Sequence, residues 1–180
     1  MRELKLTGRT YGDVVSDTVC MVYQSGYKDG YGADGDHLKT IADINVALAA
    51  GMPMITLDLS EEMNADAGDW SDSEINTAFA GLKEDVRKRI ESTYFDKSFS
   101  AGNVSIKLDA ATAKRCAVMY NRALDFAAKV HEHLEANRGK EFDLEISIDE
   151  TTSPTLPEHH LYIALELQHR KVEFTSLAPR

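Results

Sequence analysis

Residues 30–40, GYGADGDHLKT, bring three glycines, two aspartates, a histidine and a lysine into eleven positions, the densest such stretch in the chain. Asp34 and Asp36 offer carboxylates that accept protons, His37 an imidazole that ligates metals, and Lys39 an ammonium that holds anions. Two further acidic points follow apolar runs: Asp58 after MITL, and Asp149 with Glu150 after EISI. In α/β folds reacting groups collect where strands end and loops begin, so this recurrence is itself a signal. Each group also has a plain reading: a solvated His37 in a turn, Asp36 as a turn or helix cap, Asp58 as a loop cap, Glu150 as a solvated loop acid. Type and spacing alone leave both readings open. One histidine does not complete a zinc-like site, so a metal at His37 needs carboxylates from other loops or residues outside the chain. His131, His133, His159, His160 and His169 lie on helical stretches and read as non-functional.

The elements that must position these groups follow from hydrophobic period. Residues 13–25 read as a helix. Thr40 with Asp43 resembles a capping box ahead of Ile41, Ile44, Ala47 and Leu48, and Gly51 falls at the C′ position. Residues 54–57 form an apolar run, predicting a strand buried on both faces. Residues 59–72 read as an acidic loop and 73–95 as one helix with Ile75, Phe79, Leu82, Val86 and Ile90 on a stripe. Residues 103–109 give a short strand, and 110–137 the clearest helix. Phe142, Leu144, Ile146 and Ile148 alternate with polar partners, the period of a strand. Thr155, Pro157 and Glu158 predict a capped helix start, and the last nine residues a final strand.

This order predicts an α/β fold with mostly parallel strands, a single domain over residues 1–180 with about four βα units. An eight-unit TIM-like barrel takes ~250 residues, so the expectation is a partial barrel whose missing half lies elsewhere in a longer chain or in a second copy. The net charge of −10 disfavours nucleic acid, and residues 84–89, EDVRKR, read as a solvated helix face. No apolar run approaches the ~20 residues that span a bilayer, and no N-terminal signal is visible. No nucleic-acid or membrane partner and a cytoplasmic location are therefore expected. Cys20 and Cys116 sit singly in apolar patterns and read as small buried hydrophobes in a reducing compartment.

GYGADGDHLKT, ITLDLSEE and DETTSPTLPEHHLYIALELQHRKVEFTSLAPR together resemble the tagaturonate/fructuronate epimerase family of bacterial hexuronate catabolism, in the same order from about Tyr23 to Arg180. The resemblance implies a TIM-barrel-like isomerase that needs a divalent metal cation and acts on a small sugar acid. It implies His37 as metal ligand, Asp36 as proton acceptor and Glu150 as proton donor. The family's other ligand histidines lie beyond SLAPR, where this chain ends, which implies that the chain is part of a longer enzyme. The anionic substrate calls for a local cation, and Lys39 and Arg180 are candidates, with plain surface charge the alternative. The two sugars differ at a hydroxyl-bearing carbon two bonds from the ketone, which enolisation does not reach. Retro-aldol cleavage and re-addition does. A non-catalytic half-barrel, and a different metal-dependent sugar-acid isomerase or aldolase, are the alternative functions.

Overall fold

The computed structural model describes residues 2–150 and 154–180. In chain order the helices are α1 (Arg2–Thr7), α2 (Tyr11–Ser25), α3 (Ile41–Ala49), α4 (Asp72–Ala80), α5 (Glu84–Tyr94), α6 (Ala110–Arg138) and α7 (Pro157–His169). The strands are β1 (Asp34–Leu38), β2 (Met54–Asp58), β3 (Lys97–Ala101), β4 (Val104–Leu108), β5 (Asp143–Ser147) and β6 (Ser176–Ala178), and a short 3-10 helix covers Ala65–Gly68. Four strands form one parallel sheet in the order β1-β2-β5-β6, so the fold is a partial (β/α) arrangement as expected. Among the described residues no helix is long and apolar enough to cross a membrane.

Two compact units divide the chain. Unit 1 comprises Met1–Leu59, Lys129–Ile148 and Glu173–Ala178 and holds the whole parallel sheet. Its core is built from Leu38, Ile44, Ala47, Ile55, Leu57, Val130, Leu134, Leu144 and Ile146, each less than 2% exposed. Thr40 caps α3 as expected, its hydroxyl oxygen accepting from the Asp43 amide at 3.1 Å. Gly51 takes the left-handed conformation, φ 83°, that ends the helix. Residues 34–38 lack any strand period, yet they form β1. Glycine explains this: a Cβ at Gly35 would stand 3.0 Å from Leu38 Cδ1 and 3.2 Å from both Ala47 Cβ and Ile55 Cδ1. Its absence lets β1 lie against β2 and α3.

Unit 2 comprises Ser60–Ala128, Asp149–Val172 and Pro179–Arg180. The helix expected over 73–95 is two helices, broken after Gly81, where a glycine costs about 1 kcal/mol in a helix interior. Ser71 caps the first in a full capping box with Glu74. The strand expected at 103–109 forms as β4, but it pairs antiparallel with β3 in a separate hairpin and does not join the parallel sheet. Tyr94 packs against Tyr162 and Phe99 at 5.0 and 6.0 Å between ring centroids.

Three smaller expectations are corrected here. Thr155 does not cap α7, whose N-cap is Leu156 without a side-chain bond. Instead Thr155 is bound to Arg180, the Arg180 amide donating to its hydroxyl and its own amide to the Arg180 carbonyl, both at 3.2 Å. Cys20 is exposed while Cys116 is buried, because α2 keeps only Tyr11 buried. Arg89, within the stretch read as a solvated face, reaches the fully buried Glu166 in a bidentate pair at 2.5 and 2.8 Å.

Candidate functional site

The site in unit 1 is built at the C-terminal ends of β1 and β2, where parallel sheets present ligand-binding groups. The β1–β2 register shifts between Gly35 and Leu38. At that irregularity His37 takes φ 49°, a left-handed conformation that costs a non-glycine residue energy and that clusters at functional sites. The Nδ1 of His37 lies 2.7 Å from Asp36 Oδ1. With Nδ1–H donating to Asp36, the imidazole lone pair sits on Nε2, the tautomer that carboxylate-backed metal ligands use.

Asp58, the last residue of β2, is 1% exposed. A ring nitrogen of His37 and a carboxylate oxygen of Asp58 lie within 4.8 Å of each other. The Lys39 ammonium stands 3.2 Å from Asp58 Oδ2. A buried carboxylate is costly without a cation, and here Lys39 supplies one. An imidazole nitrogen and a buried carboxylate are a donor set that suits divalent cations of the zinc type. The ammonium at Asp58 shows that the position draws positive charge, and it also marks Lys39 as the competitor of any metal there.

Beneath this pair a polar row crosses all four strands. The Thr56 hydroxyl donates to Asp34 Oδ2 at 2.7 Å and approaches Glu145 Oε1 at 3.4 Å, and the Ser176 hydroxyl donates to Glu145 Oε2 at 2.5 Å. Burial raises the Asp34 carboxyl above its ordinary value against the lowering bond from Thr56, and the charges of Asp36 and Glu145 add to the rise. By the period of two, Thr56 and Asp58 share one face of the sheet, so β2 is polar on one side rather than apolar on both.

His37, itself bonded to Asp36, and Lys39 are therefore gathered about Asp58, a residue that the sequence left undecided. Its only signal there was an acid closing an apolar strand. Glu150 is exposed, three residues past the end of β5, which is the sheet neighbour of β2. Arg180 is exposed, with its backbone tied to Thr155. Both belong to unit 2.

A family model described as tagaturonate epimerase matches residues 1–180. A tagaturonate/fructuronate epimerase of Thermotoga maritima is 36% identical over 181 residues, covering 100% of this chain and 37% of that protein. A glycerol-complexed crystal structure of fructuronate-tagaturonate epimerase from Cohnella laeviribosi superimposes with TM-score 0.95 at 43% identity, covering 100% of this chain and 37% of that one. The native crystal structure of that protein gives TM-score 0.94 at 44% identity, over 99% and 36% of the two chains. The chain thus spans little more than a third of the length of the relatives it matches.

Proposed function

Because the chain belongs to the tagaturonate epimerase family, we propose that it carries part of the active site of an enzyme interconverting D-tagaturonate and D-fructuronate. The observation that carries this reading is the approach of His37 to the buried Asp58 at the ends of adjacent parallel strands. These two residues would hold a divalent cation. When bound, that cation supplies Lewis acidity to the substrate's ketone and hydroxyl oxygens.

The residues of the chain do the rest. Asp36 fixes the His37 ring through Nδ1 and takes the proton of the substrate hydroxyl. Loss of that proton breaks the neighbouring C–C bond, leaving an aldehyde and an enediolate. Rotation and re-addition invert the centre, and Glu150 returns the proton to the new hydroxyl. Two carboxylates in opposite roles need different surroundings to separate their proton affinities. Lys39, the cation beside Asp58, holds the substrate carboxylate. In the full-length enzyme supplied with a divalent cation in D₂O, D-tagaturonate is converted to D-fructuronate without solvent deuterium at the inverted carbon, and its His37→Ala variant gives no product. Stoichiometric deuterium at that carbon refutes the bond-cleaving route, and unaltered turnover by His37→Ala refutes the site.

A further inference from the structure

Unit 2 holds a partly open cavity of about 350 Å³ between the 3-10 helix, α6 and the start of α7. That volume falls in the range of small-molecule sites, roughly 300–1,000 Å³. Met63, Met119 and Leu156 give it apolar walls, and Tyr120 and His159 converge on it as a polar pair. Both are buried, at 3% and 7% exposure. The Tyr120 hydroxyl lies 3.0 Å from His159 Nδ1, and the rings meet edge-on at 5.7 Å.

The protonation state of the pair follows from burial. Burial raises the Tyr120 phenol above its ordinary range and lowers the His159 imidazole, so both are neutral at pH 7. His159 is the one partner of the Tyr120 hydroxyl among the described residues. With the phenol donating to Nδ1, Nε2 carries the N–H. The cationic group on the cavity wall is already committed. Arg115 donates through Nη1 to the carbonyls of Ala67, Gly68 and Trp70 at 2.7, 3.0 and 2.8 Å, and its Nη2 faces Asp72 at 3.3 Å. Asp69 also lines the space. Nothing in this balance favours an anion. A neutral N–H donor beside apolar walls favours an uncharged molecule with a hydroxyl acceptor and C–H faces.

We propose that this cavity is a binding site for an uncharged polyol or sugar, with the His159 Nε2–H donating to a ligand hydroxyl and Met63, Met119 and Leu156 packing against its C–H faces. The proposal does not rest on the epimerase reading, whose substrate is an anion, and it stands or falls without that reading. The test is to follow the His159 imidazole resonances by NMR while glycerol is added to the whole chain, with sodium galacturonate as the anionic comparison. Leu156→Trp fills the cavity mouth, and because Leu156 is 51% exposed the fold tolerates it; Met119→Phe is the second variant. The expected result is a saturable His159 shift with glycerol, at least tenfold weaker binding in both variants, and weaker binding of galacturonate than of glycerol. No saturable glycerol shift, undiminished binding in the two filled variants, or tighter binding of galacturonate overturns the proposal.

Discussion

Replacing Glu166 by glutamine removes the charge at the centre of unit 2, and the cost follows from its contacts. Glu166 is fully buried. Its Oε1 accepts from Arg89 at 2.5 Å and from the Tyr94 hydroxyl at 2.6 Å, and its Oε2 from Arg89 at 2.8 Å and Arg170 at 2.5 Å. Burial alone would raise this carboxyl, but the donors outweigh it and bring it from 4.5 down to about 2. At 1.36 kcal/mol per pH unit this is about 3 kcal/mol of stability. Because the native value is depressed, the contribution is complete above the unfolded value near 4.5 and is lost as pH falls through about 2. About 2 kcal/mol of it is gone by pH 3. Glu166→Gln leaves two guanidinium groups without their shared counter-charge, a loss of about 3–5 kcal/mol at pH 7. Urea unfolding followed by circular dichroism at pH 7 and pH 3 measures both effects. The gap between parent and variant narrows by about 2 kcal/mol at the lower pH. A variant within 1 kcal/mol of the parent at pH 7, or a gap that does not change with pH, refutes the reasoning.

Gly35→Ala puts a Cβ at 3.0–3.2 Å from Leu38, Ala47 and Ile55, and costs about 1–3 kcal/mol in urea unfolding; a neutral result shows that β1 has slack against β2. Lys39→Met leaves the buried Asp58 without its ammonium and lowers stability in the absence of metal by about 3 kcal/mol, while divalent cations bind Asp58 more tightly than in the parent. Weaker cation binding by that variant shows that Lys39 is no competitor. Ser71→Ala removes the α4 capping box and costs about 1 kcal/mol in thermal unfolding.

Where a local pattern reports directly on packing, the fold was legible. Thr40 and Asp43 marked the start of α3, the alternation around Leu144 and Ile146 marked β5, and the helical pattern of 110–137 marked α6. Elsewhere the deciding contacts were distant in sequence. β1 is held by what Gly35 lets approach, which no period records. The apolar spacing through residues 75–90 continued across Gly81 and concealed the break between α4 and α5. Thr155 has the chemistry of a cap, but the terminal backbone at Arg180 takes its hydroxyl. At the site, His37, Asp36 and Lys39 stood out by density, whereas the importance of Asp58 came only from its burial beside them. The Tyr120–His159 pair joins residues 39 apart on two helices, and each had read as ordinary helix content.

The most direct measurement is a titration of the chain with Co²⁺, followed by visible absorption, in parallel with the His37→Ala variant and with His133→Ala as a control on a half-buried histidine bound to Asn45. The expected result is saturable one-site binding by the parent and by His133→Ala. His37→Ala weakens binding by more than the roughly 10–100-fold that loss of an outer-sphere partner costs. No saturable binding, or equal binding by His37→Ala, contradicts a metal site at His37 and Asp58.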